Sequence, residues 1–571
     1  MGNVARLLDL IDDVAKEGLK RGIGLLRAED EVLDGRSVRI RSQDRLNFAS
    51  CSYLGLELDE RLKAGAIDAV ERFGTQFSAS RAYLSAPLYE ELEQRIGQMT
   101  GGHCVVTPST TLAHFVALPL LVGEDDAVIL DHQVHHTVQM VMPQLRQIGA
   151  SIEFLRHDRL DQLEERVRAL AGSHRKIWFL CDGVYSMHGD LAPMPSLRRL
   201  LASYEQLHLY VDDAHGVSWY GENGRGIALE GLPERDRCVV ALSLNKAFSA
   251  GGGALVLPNE ELVQRMRSLG GPMFFSGPLQ PPVLGAAIAS ARIHMSDELE
   301  SMKQELRDRI RYANQVGEEL DLPFANRCEV PVRYVALGRS SVTMDMTQQL
   351  LERGFLANCA AFPAVPAKGS GLRFTVTRHQ RMEDIRAMLE TVAELLPGIL
   401  EANESSREEI ERHFQLAPAE KPRRRRSDLA PARSEVAREV SVQCEKSIRA
   451  IDREEWDRCL GARGSFSWEG LRMLEDVFGP GAQAEEDKDS VDRWDFFYYI
   501  VRDETKQPVL ATFFTSALMK DDMLESADVS RRVERARESD PRFLVSRVMT
   551  MGSLLTEGDH QIGRASCRER V

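Results

Sequence analysis

The chain has 571 residues, 72 basic and 87 acidic side chains and a net charge of −15; it is too long for one hydrophobic core and lacks the positive footprint that nucleic acid or an anionic membrane would demand. Its nine cysteines include no CxxC and no His/Cys ligand spacing, so neither a disulfide framework nor a metal site is expected, and a reducing cytoplasm fits. Acids interrupt the apolar positions of residues 1–22, Arg6 departs from the myristoylation pattern and Pro119 breaks the short apolar stretch near 113–122, so no secretory signal, lipid anchor or membrane span is expected.

After an N-terminal arm (1–45), a large domain is expected over 46–290. Seven β-rich runs alternate there with helical patterns: CVVTP (104–108), DAVILD (126–131), SIEFLRHD (151–158), KIWFLCDG (176–183), LHLYVDDAH (207–215), CVVALSL (238–244) and GGALVLP (252–258). That alternation predicts an α/β fold with a mostly parallel sheet covered by helices. Residues 291–400 predict a small α+β domain: a long charged helix, a strand in EVPVRYVALG (329–338), a helix near 344–354, a strand in GLRFTVTR (371–378) and a closing helix over 381–396. Residues 401–441 are rich in Glu, Arg, Pro, Ala and Ser, including RRRR at 423–426, and predict a flexible linker. Apolar content recovers over 442–560, with a helix near Trp468–Phe478 and a strand pair in FFYYIVRD and QPVLATFFTSAL. The ending IGRASCRERV (562–571) reads like a translated sequencing adapter; it is set aside from the fold, with the expectation that the natural chain continues.

Ligands of open α/β sheets bind beyond the carboxyl ends of the strands. The chemically loaded residues fall there: Asp131 to His135, Asp182 to Ser186, Asp212 to His215, and Ser243 to Lys246. Lys246, in SLNKAFSAGGG (243–253), follows an apolar strand and precedes a glycine run, 34 residues after Asp212 of DDAHG. Alone it would read as a structural lysine. Paired with an upstream buried acid it reads as a Schiff-base lysine that condenses with the aldehyde of pyridoxal phosphate (PLP), while the carboxylate keeps the pyridinium protonated.

NFASCSYLGL (47–56), DGVYSMHGDLAPM (182–194), VDDAHGVSWYGENGRG (211–226) and SLNKAF (243–248) stand in an order and spacing that resembles the α-oxoamine synthases, over roughly residues 40–400. The resemblance implies the PLP-dependent fold type I and a homodimer that condenses an amino acid with an acyl thioester, on coenzyme A or an acyl carrier protein, with loss of carbon dioxide, to an α-amino ketone. It implies that Lys246 holds PLP and moves the Cα proton, that Asp212 pairs with the ring nitrogen, that His215 reaches O3′ and that His135 stacks on the ring. Ser186 and Asp182 would lie near O3′ and the substrate, although a turn cap is an alternative for Asp182. Thr107, Pro108 and Ser109 occupy the place of a Ser-Gly-aromatic phosphate loop; Pro108 removes a donor, so the hydroxyls of Thr107, Ser109 or Thr110 would substitute, joined by Ser243. Ser276 would reach the phosphate of the partner subunit. Arg373 would grip the amino-acid carboxylate, and Asn47 would also touch substrate. Phe77, Leu84 and Tyr89 depart from the family pattern, so the substrate pockets are expected to differ. A plain aminotransferase or lyase, or a non-catalytic binding module, are the alternatives. Residues 446–556 resemble the first half of a GNAT-type acyltransferase domain, with a non-catalytic interaction domain as the competing view.

Overall fold

The computed structural model describes residues 2–232, 235–366, 368–416, 441–460, 466–480, 493–503, 506–520, 533–535, 537, 545–551 and 561–563. The chain forms two compact units, Met1–Arg423 and Arg424–Val571.

In the first unit β1 (Ser37–Ile40) and β2 (Gln43–Asn47) form a hairpin whose turn residues Arg41 and Ser42 have φ of 53° and 60°. The large sheet follows: β3 (His103–Thr107), β4 (Ala127–Asp131), β5 (Ser151–Leu155), β6 (Ile177–Asp182), β7 (Leu207–Asp212), β8 (Cys238–Ser243) and β9 (Gly253–Leu257). Each lies inside the run that predicted it or within a residue of it. Their order is β3-β9-β8-β7-β6-β4-β5, with β9 antiparallel to both neighbours and the other pairings parallel. β4, β6, β8 and β9 are buried at every position, which is why they read as unbroken apolar runs. Alternate residues feed two cores. Ile129, Phe179, Val211 and Val240 join one, while Leu130, Trp178, Tyr210 and Val239 join the other with Ala113, Val116 and Ala117 of helix Thr110–Leu121.

The small domain holds β10 (Val332–Gly338), β11 (Phe355–Leu356), β12 (Asn358–Ala360) and β13 (Ser370–Thr375), with β13 antiparallel between β10 and β12. Helices Glu298–Glu319, Ser340–Glu352 and Met382–Ala402 match the three predicted there. The N-terminal arm belongs with this domain, because β2 pairs parallel with β11 and Val38 and Ile40 pack on Leu351. The predicted linker starts too early. Helix Arg407–Phe414, capped by Ser406, buries Ile410 and sets Phe414 6.0 Å from the His188 ring and 6.2 Å from the Tyr334 ring. The remainder of the expected linker, including RRRR, lies outside the described residues.

In the second unit β14 (Ser441–Glu445), β15 (Trp494–Arg502), β16 (Pro508–Lys520) and β17 (Val545–Met551) form an antiparallel sheet, and β18 (Gln561–Gly563) pairs with β16. Two residues of the segment set aside as adapter-like, Ile562 and Gly563, thus lie in a strand. Helix Trp468–Phe478 has the bounds predicted for it, and Trp456, Phe496, Tyr498 and Phe513 centre the unit's core.

Candidate active site

A cavity of about 250 Å³ opens at the carboxyl ends of β6, β7 and β8. Asp182 and Asp212 end β6 and β7 in direct register, and Lys246 follows β8 by three residues. Lys246, half-buried, lines the cavity together with Asp212, His215 and His135. Its turn is tightly closed: the Leu244 N–H donates to Gly252 O (3.0 Å), Ala250 N–H to Leu244 O (2.8 Å), and Gly252 N–H to the Asn245 side chain (3.0 Å). Burial lowers the Lys246 pKa, against the pull of Asp212.

Asp212 is 5% exposed. Burial alone would raise its pKa, but the contact with His114 and the positive charge of Lys246 overcome that and hold it below the usual carboxylate range. His114 Nε2 lies 3.1 Å from Asp212 Oδ2, and its Nδ1 lies 2.8 Å from the Tyr210 hydroxyl. Tyr210 and Asp212, two apart on β7, face the same side as helix Thr110–Leu121, which carries His114. Burial keeps the Tyr210 hydroxyl protonated. The hydroxyl and Nδ1 share one hydrogen bond, which leaves Nε2 as the ring atom that faces Asp212.

The neighbouring Asp213 does different work. Its Oδ2 accepts from the Ala228 N–H at 2.9 Å, and a Cβ on Gly183 or Gly216 would sit 2.2 or 2.1 Å from its Oδ1, so both positions need the bare backbone. Burial lifts the Asp213 pKa to about 7. His215 shares a 2.6 Å hydrogen bond between Nδ1 and the buried Tyr53 hydroxyl. Burial, then the charges of Lys246 and Arg373, hold its pKa well below the ordinary histidine value, so it is neutral. Burial likewise lowers the pKa of His135, whose Nδ1 meets Thr137 Oγ1 at 2.7 Å. Asp182 accepts from the His135 backbone N–H at 2.9 Å, the turn-capping role held open from sequence, and burial next to Asp212 raises its pKa well above the carboxylate norm.

At the anion-binding end, part of the set named from sequence lines the cavity and part does not. Thr107 is buried and gives its hydroxyl to Ser109 O (2.9 Å), and neither it nor Pro108 lines the cavity. Ser109, Thr110 and Thr111 do. Ser109 caps helix Thr110–Leu121, accepting from Leu112 N–H at 3.1 Å. Gly253 of β9 permits the close approach, since a Cβ there would stand 2.5 Å from Thr110 N. Ser243 and Asn245 complete this end.

Arg373 on β13, 6% exposed, donates Nε–H to Ser186 O at 2.7 Å and turns Nη2 toward Cys51 Sγ at 3.8 Å. It lies outside the cavity lining but close enough to act on the charge of Lys246. Ser186 is engaged through its carbonyl, not its hydroxyl. Asn47 does not reach the cavity, because its side-chain oxygen accepts from Ala49 N–H (3.0 Å) and holds the turn after β2; Cys51, in the same motif, is the residue facing Arg373. Ser276 gives its hydroxyl to Pro272 O and is also absent from the lining. Of the departures noted from sequence, Phe77 packs on the core, Leu84 is exposed and Tyr89 is buried beneath the Arg81 guanidinium, 3.7 Å from its ring centre.

His157, after β5, ties two of these loops together. Its Nδ1 lies 2.9 Å from Asp131 Oδ2, its Nε2 meets Asp190, and Tyr185 donates to the same Asp131 oxygen at 2.8 Å. Burial opposes its charge, but the hydrogen bonds to Asp131 and Asp190 prevail and raise its pKa to about 10. Asp131 opens the segment that carries His135, and Asp190 closes the one that carries Ser186.

Residues 43–390 match the family described as aminotransferase class I and II. The chain belongs to that family, which the seven-stranded sheet with a lysine after β8 already suggests. Among curated relatives, the 8-amino-7-oxononanoate synthase of Symbiobacterium thermophilum is 31% identical over 395 residues, covering 68% of this chain and 97% of the relative, and that of Thermoanaerobacter pseudethanolicus is 28% identical over 385 residues, covering 66% and 93%. Within the family the chain is an α-oxoamine synthase homologue. A serine palmitoyltransferase structure from S. paucimobilis with a bound PLP–myriocin aldimine superposes with a TM-score of 0.64 at 23% identity, covering 70% of this chain and 99% of that one, which bears on the fold. Among the described residues no helix is long and apolar enough to cross a membrane, and no cluster of potential metal ligands occurs.

Proposed function

We propose that the chain is a PLP-dependent acyltransferase that condenses a small amino acid with an acyl thioester, releasing carbon dioxide and a free thiol and leaving an α-amino ketone. The observation that carries it is the meeting, in one cavity, of a half-buried amine and a carboxylate held ionised against its burial. The residues fit PLP. Lys246 has a lowered pKa and so offers its amine to an aldehyde. Asp212 offers a fixed negative charge to a pyridinium nitrogen. Ser109, Thr110 and Thr111 surround a helix start, where backbone N–H groups run out of intrahelical acceptors and suit a phosphate.

Bound there, PLP supplies the electron sink that makes the substrate Cα–H acidic. Lys246 Nζ takes and returns that proton. Arg373, anchored through Nε on Ser186 O and with Nη2 turned to the soft acceptor Cys51 Sγ, would present its Nη face to the substrate carboxylate and so set which Cα bond is cleaved. His215, neutral and fixed by Tyr53, would hydrogen-bond the cofactor oxygen, and His135 would cover the ring; both line the cavity. Asp182 acts as the turn cap that sets the His135 backbone. We read the enzyme further as a cytoplasmic homodimer whose acyl donor rides on coenzyme A or a carrier protein; the described cysteines, all unpaired, agree with that compartment. For the second unit, the antiparallel sheet with helices Arg453–Leu460 and Trp468–Phe478 supports the GNAT-type proposal.

A matrix of amino acids against acyl thioesters, followed by thiol release, tests the reaction. At least one pair should turn over, and Lys246→Ala should abolish the signal. Conversion of the cofactor to its amine form by amino acid alone, at a rate matching turnover, would replace this assignment with transamination.

A further inference from the structure

At the opposite, amino-terminal ends of the parallel strands, a second cavity of about 320 Å³ opens where helix Thr110–Leu121 finishes. Four cations surround it, Arg175, Lys176, Arg237 and Arg265, against the carboxylates Asp236 and Glu261. Two of the four are engaged: Arg237 gives its hydrogens to the carbonyls of Tyr204 (2.9 Å) and Leu201 (2.8 Å), and Arg175 lies 3.1 Å from Asp126. Lys176 and Arg265 reach no carboxylate among the described residues. Lys176 faces the Trp178 ring at 5.7 Å, with the Asp126 carboxylate near enough to act on its charge without an ion-pair contact. Its pKa is lowered, first by burial and then by repulsion from Arg175.

The wall adds a second observation. Trp178 is 2% exposed, and its buried indole N–H has no acceptor. His208 beside it, with ring centres 4.9 Å apart, spends Nδ1 on Gln206 O (2.9 Å). The four cations exceed the carboxylates Asp126, Asp236 and Glu261 by one, and the negative end of helix Thr110–Leu121 balances about half a unit of that, which leaves a positive excess on a chain whose net charge is −15.

The geometry points to an anion site in this cleft for a diphosphate group, free or at the end of a larger phosphorylated metabolite, held between Lys176 and Arg265. Two unpartnered cations on one cavity match two linked phosphates, and a bound anion would relieve the repulsion among the cations. The site is separate from the PLP cavity and does not depend on the proposed reaction.

Isothermal titration of the full chain, saturated with PLP so that the other phosphate site is filled, tests it with inorganic pyrophosphate and with ADP at matched ionic strength. One site per chain is expected, weakened at least tenfold in Lys176→Ala and in Arg265→Ala, lost in the double variant and unchanged in Arg146→Ala. Tighter binding of ADP than of pyrophosphate would identify the larger metabolite, and the reverse order the free ion. On the unaltered protein, pyrophosphate should slow acetylation of Lys176 at least threefold, a readout that holds even if the variants fail to fold. Absence of saturable binding by either probe, heat that survives the double substitution, or unprotected Lys176 would overturn the assignment.

Discussion

Replacing His157 by Gln removes a positive charge clamped between Asp131 and Asp190 while leaving a side chain of similar reach. The histidine pKa rises from 6.5 to about 10 on folding, and at about 1.36 kcal/mol per unit this sets a ceiling of roughly 5 kcal/mol on what the charge contributes. With its side chain 21% exposed, about 3 kcal/mol is the working expectation. Because the folded-state pKa is the raised one, the contribution is complete below about pH 6.5 and drains away as pH climbs through 10. Urea unfolding of the full chain, followed by near-ultraviolet circular dichroism at pH 6, 8 and 10, should show the parent exceeding the variant by about 3 kcal/mol at pH 6 and by under about 1 kcal/mol at pH 10. A difference that stays flat over that range would refute the clamp. The two loops it joins carry His135 and Ser186, so kcat/KM should fall in the variant as well.

His114→Ala should weaken PLP binding at least tenfold and move the acid limb of the pH–rate profile upward by about one unit, since the contact that keeps Asp212 ionised is gone; equilibrium dialysis and kcat/KM against pH measure the two effects. Arg373→Lys cannot keep the Nε–Ser186 anchor and the two-pronged carboxylate grip together; the amino-acid KM should rise about 10- to 100-fold in steady-state assays, with PLP affinity unchanged. Gly216→Ala places a Cβ 2.1 Å from Asp213 Oδ1 and should lower stability by about 1–3 kcal/mol in urea titration.

The inner strands β4, β6, β8 and β9 were legible because they are buried on both faces and so read as unbroken apolar runs. Lys246, Asp212, His135, His215 and Ser243 were legible because a parallel sheet delivers the ends of its strands to one place. Of the hydroxyls named for the phosphate, Ser109 and Thr110 line the cavity, whereas Thr107 still belongs to the strand and turns inward; Ser109, three residues before Leu112, carried a helix-start signal. His114 was missed because a histidine among Ala, Phe and Val on an apolar helix reads as core, and only the strand packed against it reveals Asp212 as its partner. Asn47 was named for its motif, yet its oxygen is consumed locally. Helix Arg407–Phe414 was hidden by its charged composition, although Ser406 and Glu409 form the spacing of a helix start and Ile410 and Phe414 share one face.

The reversed direction of β9 has a consequence for how such an enzyme diversifies. Because β8 returns directly into β9, the amine at 246 hangs from a hairpin stitched shut by its own main chain, while the groups that surround it sit on the longer crossovers elsewhere in the sheet. Insertions and substitutions can therefore accumulate in those crossovers, altering which molecules are admitted, while the chemical centre keeps its address.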